Sequence, residues 1–223
     1  MNQERSPKSL QRYQSALQLM NNLEQEPAHV MQVARITMML FDELAPLHNM
    51  GATERDMLEC AALLHDIGYT LGARHHHRHA FTLITSAPLE GWNKRQKIII
   101  GNIARYHRKS HPNRKHTEYS LLPVWDRFRV LKLATLLQLA DGLDRSHSDA
   151  IKSLRCKIGI KTVKLRLKVR GEIPQEIEGF KKKRDLFIRI FKRNIVIHKI
   201  KNIWHIESHH FTPVLLEDNE IDG

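Results

Sequence analysis

In Glu59-Cys-Ala-Ala-Leu-Leu-His-Asp-Ile-Gly-Tyr69 an apolar helical run ends on two adjacent polar groups, His65 and Asp66. Met57, Leu58, Ala61, Ala62 and Leu64 supply the buried face of this helix, and the sequence predicts Thr53 as its cap, with Asp56 completing a weak capping box. Gly68 reads as the stop. Neighbouring helical residues point about 100° apart, so His65 and Asp66 converge on one atom only at a helix end, where the second can swing round. Position therefore favours a shared ligand, although a lone pair of this kind is also compatible with a buried histidine bonded to a carbonyl.

The flanking segments repeat the pattern of a polar group closing an apolar stripe. Towards the N-terminus, residues 1–26 form a flanking helix through Tyr13, Leu17 and Met20. Pro27 then opens a helix on which His29, Val33, Ile36 and Leu40 share one face. Beyond Tyr69 comes Gly72-Ala-Arg-His-His-His-Arg-His79, in which His79 opens the next helix and His75, His76 and His77 read as solvated loop residues. A basic amphipathic helix from Asn93 carries Ile99, Ile100, Ile103 and Ala104 and again ends on a histidine, His107. Residues 110–123, with Pro112 and Pro123, read as a loop. The next helix begins near Trp125 and buries Val130, Leu133, Ala134 and Leu137, with Asp141 on the same row. A carboxylate on a buried stripe requires a compensating cation or donors.

Composition sets the limits. With 223 residues, 41% hydrophobic and 27% charged, the chain is long enough for one generous domain or one plus an appendage. No segment approaches a membrane span, and the polar start lacks a signal-peptide core. Cys60 and Cys156 are isolated, which points to neither a zinc knuckle nor a disulfide framework and fits a reducing cytoplasm. The net charge of +12 is concentrated: residues 151–201 hold 17 Lys and Arg against 4 Asp and Glu, leaving 19 basic against 20 acidic elsewhere. A boundary near Ser148 is expected. Past it, Leu154–Ile158 and Val163–Val169 alternate apolar with basic residues, giving two antiparallel strands joined through Gly159–Thr162. A helix from Gln175 to Arg193 and a strand at Ile195–Ile200 follow, then an acidic tail.

His29, His65-Asp66 and Asp141, in this order and with the last in Leu139-Ala-Asp-Gly-Leu-Asp-Arg-Ser-His147, resemble the HD superfamily of metal-dependent phosphohydrolases. With Arg78-His79 and Ala104-Arg-Tyr-His-Arg-Lys109 they look more closely like the C-terminal HD region of the exopolyphosphatase/guanosine pentaphosphate phosphatase (Ppx/GppA) proteins, over roughly residues 15–200. The N-terminal actin-like domain that carries phosphatase chemistry in that family has no counterpart before His29, and no Gly-rich phosphate loop occurs.

The resemblance implies a mainly α fold: an HD-type helical bundle over 1–148 with a small basic β-β-α-β subdomain over 149–206 and a flexible acidic tail over 207–223. It implies His29, His65, Asp66 and Asp141 as ligands of a divalent ion (Mn, Fe, Mg or Zn), with His65 and Asp66 catalytic and His79 and His107 holding a second ion. Arg145, Arg108 and Lys109 are candidate contacts for substrate phosphate. The implied reaction is metal-assisted hydrolysis of a phosphorylated nucleotide or polyphosphate. The alternative is a non-catalytic polyphosphate- or nucleotide-binding regulatory module. The basic segment 151–201 suits a polyanion, and an oligomer is compatible with the sequence.

Overall fold

The computed structural model describes residues 5–24, 26–108 and 111–203. Lys109 and the expected acidic tail lie outside them. Eight helices come first: α1 (Pro7–Leu23), α2 (Pro27–Glu43), α3 (Ala45–His48), α4 (Ala52–Leu63), α5 (His76–Ser86), α6 (Lys94–Arg105), α7 (Thr117–Ser120) and α8 (Val124–Gly142). A short 3-10 helix, Ile67–Leu71, links α4 to α5. Then follow β1 (Ile151–Ile158), β2 (Thr162–Val169), α9 (Pro174–Lys183), α10 (Asp185–Phe191) and β3 (Asn194–Asn202). The architecture is mainly α with a small α+β appendage, as the sequence predicts. No helix among the described residues is long and apolar enough to cross a membrane.

α2, α4, α6 and α8 form the centre, because each carries the apolar stripe read from the sequence. Val33, Ile36 and Leu40 of α2 meet Leu58, Ala61 and Ala62 of α4, Ile100 and Ile103 of α6, and Val130, Leu133 and Leu137 of α8 in one buried cluster. Leu154, Leu165, Leu167, Phe180 and Phe187 continue this cluster into the sheet, so the apolar core runs unbroken from helices to strands. β1 pairs antiparallel with β2 through Leu154↔Leu167 and Cys156↔Leu165, and the turn closes where Gly159 N–H donates to Thr162 O at 2.9 Å. β3 returns parallel to β2, with Val163↔Ile195 in register. A parallel partner needs a crossover, and α9 and α10 supply it.

Several local expectations change. The cap of α4 is Gly51, whose N–H donates to Glu54 Oε2 at 3.2 Å, rather than Thr53. Asp56 accepts instead from Ser9 Oγ (2.7 Å) and Arg12 Nη1 (2.9 Å), which fastens α1 to α4. The helix expected over Gln175–Arg193 breaks at Arg184, so that α9 follows α8 while α10 turns over β3. His76 and His77 belong to α5, whose cap His75 takes a left-handed conformation with φ 64°. The loop after α6 contains the one-turn α7, which buries Tyr119.

Gly68 does not stop α4, which has already ended at Leu63. It lies inside the 3-10 helix, where an added Cβ would come within 1.9 Å of His76 O and 2.6 Å of Ala80 N. Hydrogen in place of a methyl lets the first turn of α5 press against the segment carrying Asp66. Gly68→Ala is therefore expected to cost at least about 2 kcal/mol, the scale of overpacking a rigid interior, and to lower the melting temperature by several degrees.

Buried His48 gives a second test. Its Nε2 donates to Phe41 O at 2.7 Å and its Nδ1 accepts from Met50 N at 3.0 Å, an arrangement that only the neutral ring satisfies. Burial accordingly lowers its pKa. A histidine with a depressed folded pKa stabilises above its unfolded value of about 6.5 and loses that contribution as pH falls through it. His48→Asn should make the decline of melting temperature between about pH 6.5 and 5 shallower.

Candidate metal centre

Four imidazoles and two aspartates meet where the four central helices end. α2 brings His29 in its first turn. α4 ends so that His65 and Asp66 follow it in a non-helical step. The start of α5 brings His76, the end of α6 brings His107, and the last turn of α8 brings Asp141. His29, His65, His76 and His107 are buried, and Asp66 and Asp141 reach the cavity surface.

The Asp66 carboxylate stands between two groups. Its Oδ2 lies 3.3 Å from His65 Nε2 and 4.0 Å from His29 Nε2, and Asp141 Oδ1 is 3.7 Å from the same His29 nitrogen. Its Oδ1 lies 3.3 Å from His107 Nε2 and 3.6 Å from His76 Nε2, and those two nitrogens are 3.4 Å apart. His29, His65 and Asp66 form one set with ligand atoms close enough for an ion, and Asp66, His76 and His107 form another.

The opposite nitrogen of each ring fixes which atom faces inward. His65 Nδ1 donates to Ala62 O (2.8 Å), His76 Nδ1 to Ala73 O (3.1 Å) and His107 Nδ1 to Ala104 O (2.7 Å). His29 Nδ1 donates to Asp144 Oδ2 at 2.8 Å. A carbonyl accepts only, so each Nδ1 carries a hydrogen and Nε2 turns towards Asp66, as a lone pair wherever the ring is neutral. Lone pairs facing a carboxylate repel unless a cation or proton stands between them. Among the described residues, buried His65 Nε2 and Asp66 Oδ1 have no hydrogen-bond partner. A set of imidazole and carboxylate donors with outward nitrogens already anchored is what a divalent ion requires.

The protonation tendencies follow. Burial would raise the Asp66 carboxyl, yet His65 and His107 beside it hold it well below the usual range. Burial works against a charged His65, and the adjacent Asp66 overcomes this to raise its pKa. His107 and His76 are lowered by burial.

Stacking and backbone contacts hold the walls. The His147 ring stacks on His29 at 3.8 Å and donates from Nδ1 to Glu26 Oε2, 2.5 Å away, while Tyr69 stacks on His76 at 3.9 Å. Gln138 Nε2 donates to Tyr106 O and Arg108 O, each at 2.6 Å, fixing the chain on both sides of His107. The cluster opens into a cavity of about 610 Å³ bordered by Arg108, Arg145, Lys182 and Lys183.

Of the residues singled out in the sequence, His29, His65, Asp66, Asp141 and His107 are brought together, and Arg108 and Arg145 line the cavity. Lys109 lies outside the described residues. His79 is half-buried in α5 and outside both sets, and His76 stands opposite His107 instead. Sequence reasoning also missed Lys183, whose Nζ pairs with Asp141 Oδ2. Its place depends on a glycine crossing: a Cβ on Gly142 would meet Gly179 backbone at 2.9 Å, and one on Gly179 would meet Gly142 O at 2.3 Å. Asp144 was legible in principle, since it follows Asp141 by three residues just past the end of α8.

The family model for Ppx/GppA phosphatase domain III matches residues 11–185. The chain belongs to this family. The match runs from α1 to the start of α10 and takes in every residue of the cluster, together with Lys183. For this domain III chain, Asp144→Asn keeps the shape beside His29 but weakens the acceptor that orients the ring. Metal affinity is expected to fall about tenfold to a hundredfold, measured by titration of the metal-stripped protein.

Proposed function

We propose that this chain is a metal-dependent phosphohydrolase of the HD type, acting on a phosphorylated nucleotide or polyphosphate in the cavity above Asp66. The observation that carries this reading is one carboxylate facing the Nε2 atoms of four buried histidines, at 3.3 to 4.0 Å. His29, His65, Asp66 and Asp141 would hold one divalent ion, and His76 and His107 would hold a second with Asp66 shared. Imidazole-rich donors favour Fe or Zn over Mg, and the carboxylates also admit Mn. Such ions supply Lewis acidity towards phosphoryl oxygens and lower the pKa of water.

The remaining work falls to the chain. Arg108, Arg145 and Lys182 at the cavity border neutralise phosphate charge, and arginine's planar fork matches two oxygens of one phosphate. The stacked rings of His147 and Tyr69 keep His29 and His76 from turning away. The shared domain III match supports a phosphatase-related role.

A second reading, a non-catalytic polyphosphate- or nucleotide-binding module, is favoured by one contact. Lys183 Nζ already neutralises Asp141, as a tethered cation in place of a mobile one.

Elemental analysis of the untagged protein beside Asp66→Ala, with hydrolysis of a generic phosphodiester and of polyphosphate followed in Mn²⁺, separates the readings. Near-stoichiometric metal and turnover, both lost in the variant, are expected. Metal without turnover on any phosphoester supports the binding module, and absence of both overturns the metal centre.

A further inference from the structure

The solvent face of the sheet carries a second cationic surface, built by different residues from those of the cavity. Strand pairing puts opposed residues on the same side, so the outward rows are Lys157 with Lys164, Arg155 with Arg166 and Lys199, and Lys168 with Lys201. All of these are exposed, while Val163, Leu165, Leu167 and Val169 of β2 point into the core. None of the three strands contains an Asp or Glu. Arg155 pairs with Glu43 of α2, whereas Lys157, Lys164, Arg166, Lys168, Lys199 and Lys201 have no carboxylate partner among the described residues.

Like charges directly opposite one another on a sheet are destabilising. Lys157↔Lys164 and Arg155↔Arg166 are two such pairs, and a bound anion relieves both. At the hairpin end, Lys157, Lys161, Lys164, Arg166 and His198 also frame a cavity of about 360 Å³, with room for phosphate groups.

We infer that this face binds the phosphate backbone of a double-helical nucleic acid without regard to sequence. The cations form a grid, about 6.7 Å apart along a strand and about 4.8 Å between strands. A single polyphosphate thread would engage one row of such an array. A duplex presents phosphates from two strands across a groove and meets several rows at once. No Phe, Tyr or Trp stands on the strands, so base stacking is little favoured and contacts fall on the backbone. The surface acts independently of hydrolysis in the cavity.

The test is fluorescence anisotropy with two short labelled RNA duplexes of unrelated sequence, using the full chain and the triple variant Lys164→Glu/Arg166→Glu/Lys168→Glu. The carboxylate at 164 faces Lys157, the one at 166 faces Arg155 and Lys199, and the one at 168 faces Lys201, so the variant gains cross-strand ion pairs and should melt no lower than the parent. Both duplexes should bind the parent equally. If about four phosphates are neutralised, affinity should fall about a hundredfold between about 50 and 200 mM salt. The variant should bind at least tenfold more weakly with a flatter salt dependence, while its hydrolysis or metal content stays unchanged. The corresponding glutamine variant should show the same trend more mildly. Unchanged binding in the variants, failure of both duplexes to bind, or binding of long-chain polyphosphate alone would overturn the assignment.

Discussion

The structure depends on one carboxylate that the neutral imidazoles around it cannot satisfy by hydrogen bonding. Asp66 sits where four imidazoles turn their lone pairs inward, and its two oxygens face different pairs of rings. The repulsion built into that arrangement has to be cancelled by positive charge. The elements around it are placed to hold the ligands still: carbonyls of Ala62, Ala73 and Ala104 anchor three rings from behind, and Asp144 anchors the fourth. The apolar stripes of α2, α4, α6 and α8 supply the burial that makes the centre rigid, and the helix ends supply the directions from which ligands converge. Stability and site therefore come from the same helices, the one from stripes along their length and the other from their ends.

Much of this was legible because a polar group at the end of an apolar stripe is a periodicity signal. His29, His65, Asp66, His107 and Asp141 each close such a stripe. His76 gave no such signal: it sits in a run of three histidines, and only the left-handed cap at His75 and the close approach at Gly68 turn it inward. Gly68 itself was misread, since a glycine after an apolar helix resembles a terminator whether its role is backbone conformation or proximity. The sheet was visible as alternation, but the parallel return of β3 depends on a crossover that no local pattern encodes. Lys183 lay beyond reach for a similar reason, as it joins Asp141 through a contact between distant segments.

The charge asymmetry of the chain acquires a physical division of labour. The helical half, residues 1–150, holds 19 Lys and Arg against 15 Asp and Glu, and it concentrates acids and imidazoles at one point. The later segment sends its cations in two directions, some from α9 towards the cavity and others to the outer face of the sheet. Arginine and lysine at the cavity border act in a partly enclosed space where charge is weakly screened. Those on the sheet act in open solvent, where screening over about 8 to 10 Å governs their reach.

The crossing of Gly142 and Gly179 has a consequence for how this family member can change. Neither residue supplies a ligand atom, yet together they set how closely α9 rides on α8, and hence how far Lys183 stands from Asp141. A methyl group on either glycine would push the two backbones apart and withdraw a positive charge from the centre without changing any histidine or aspartate. The electrostatic character of the site is thus adjustable by a spacer rather than by its own chemistry, which gives sequence drift at two small residues leverage over it.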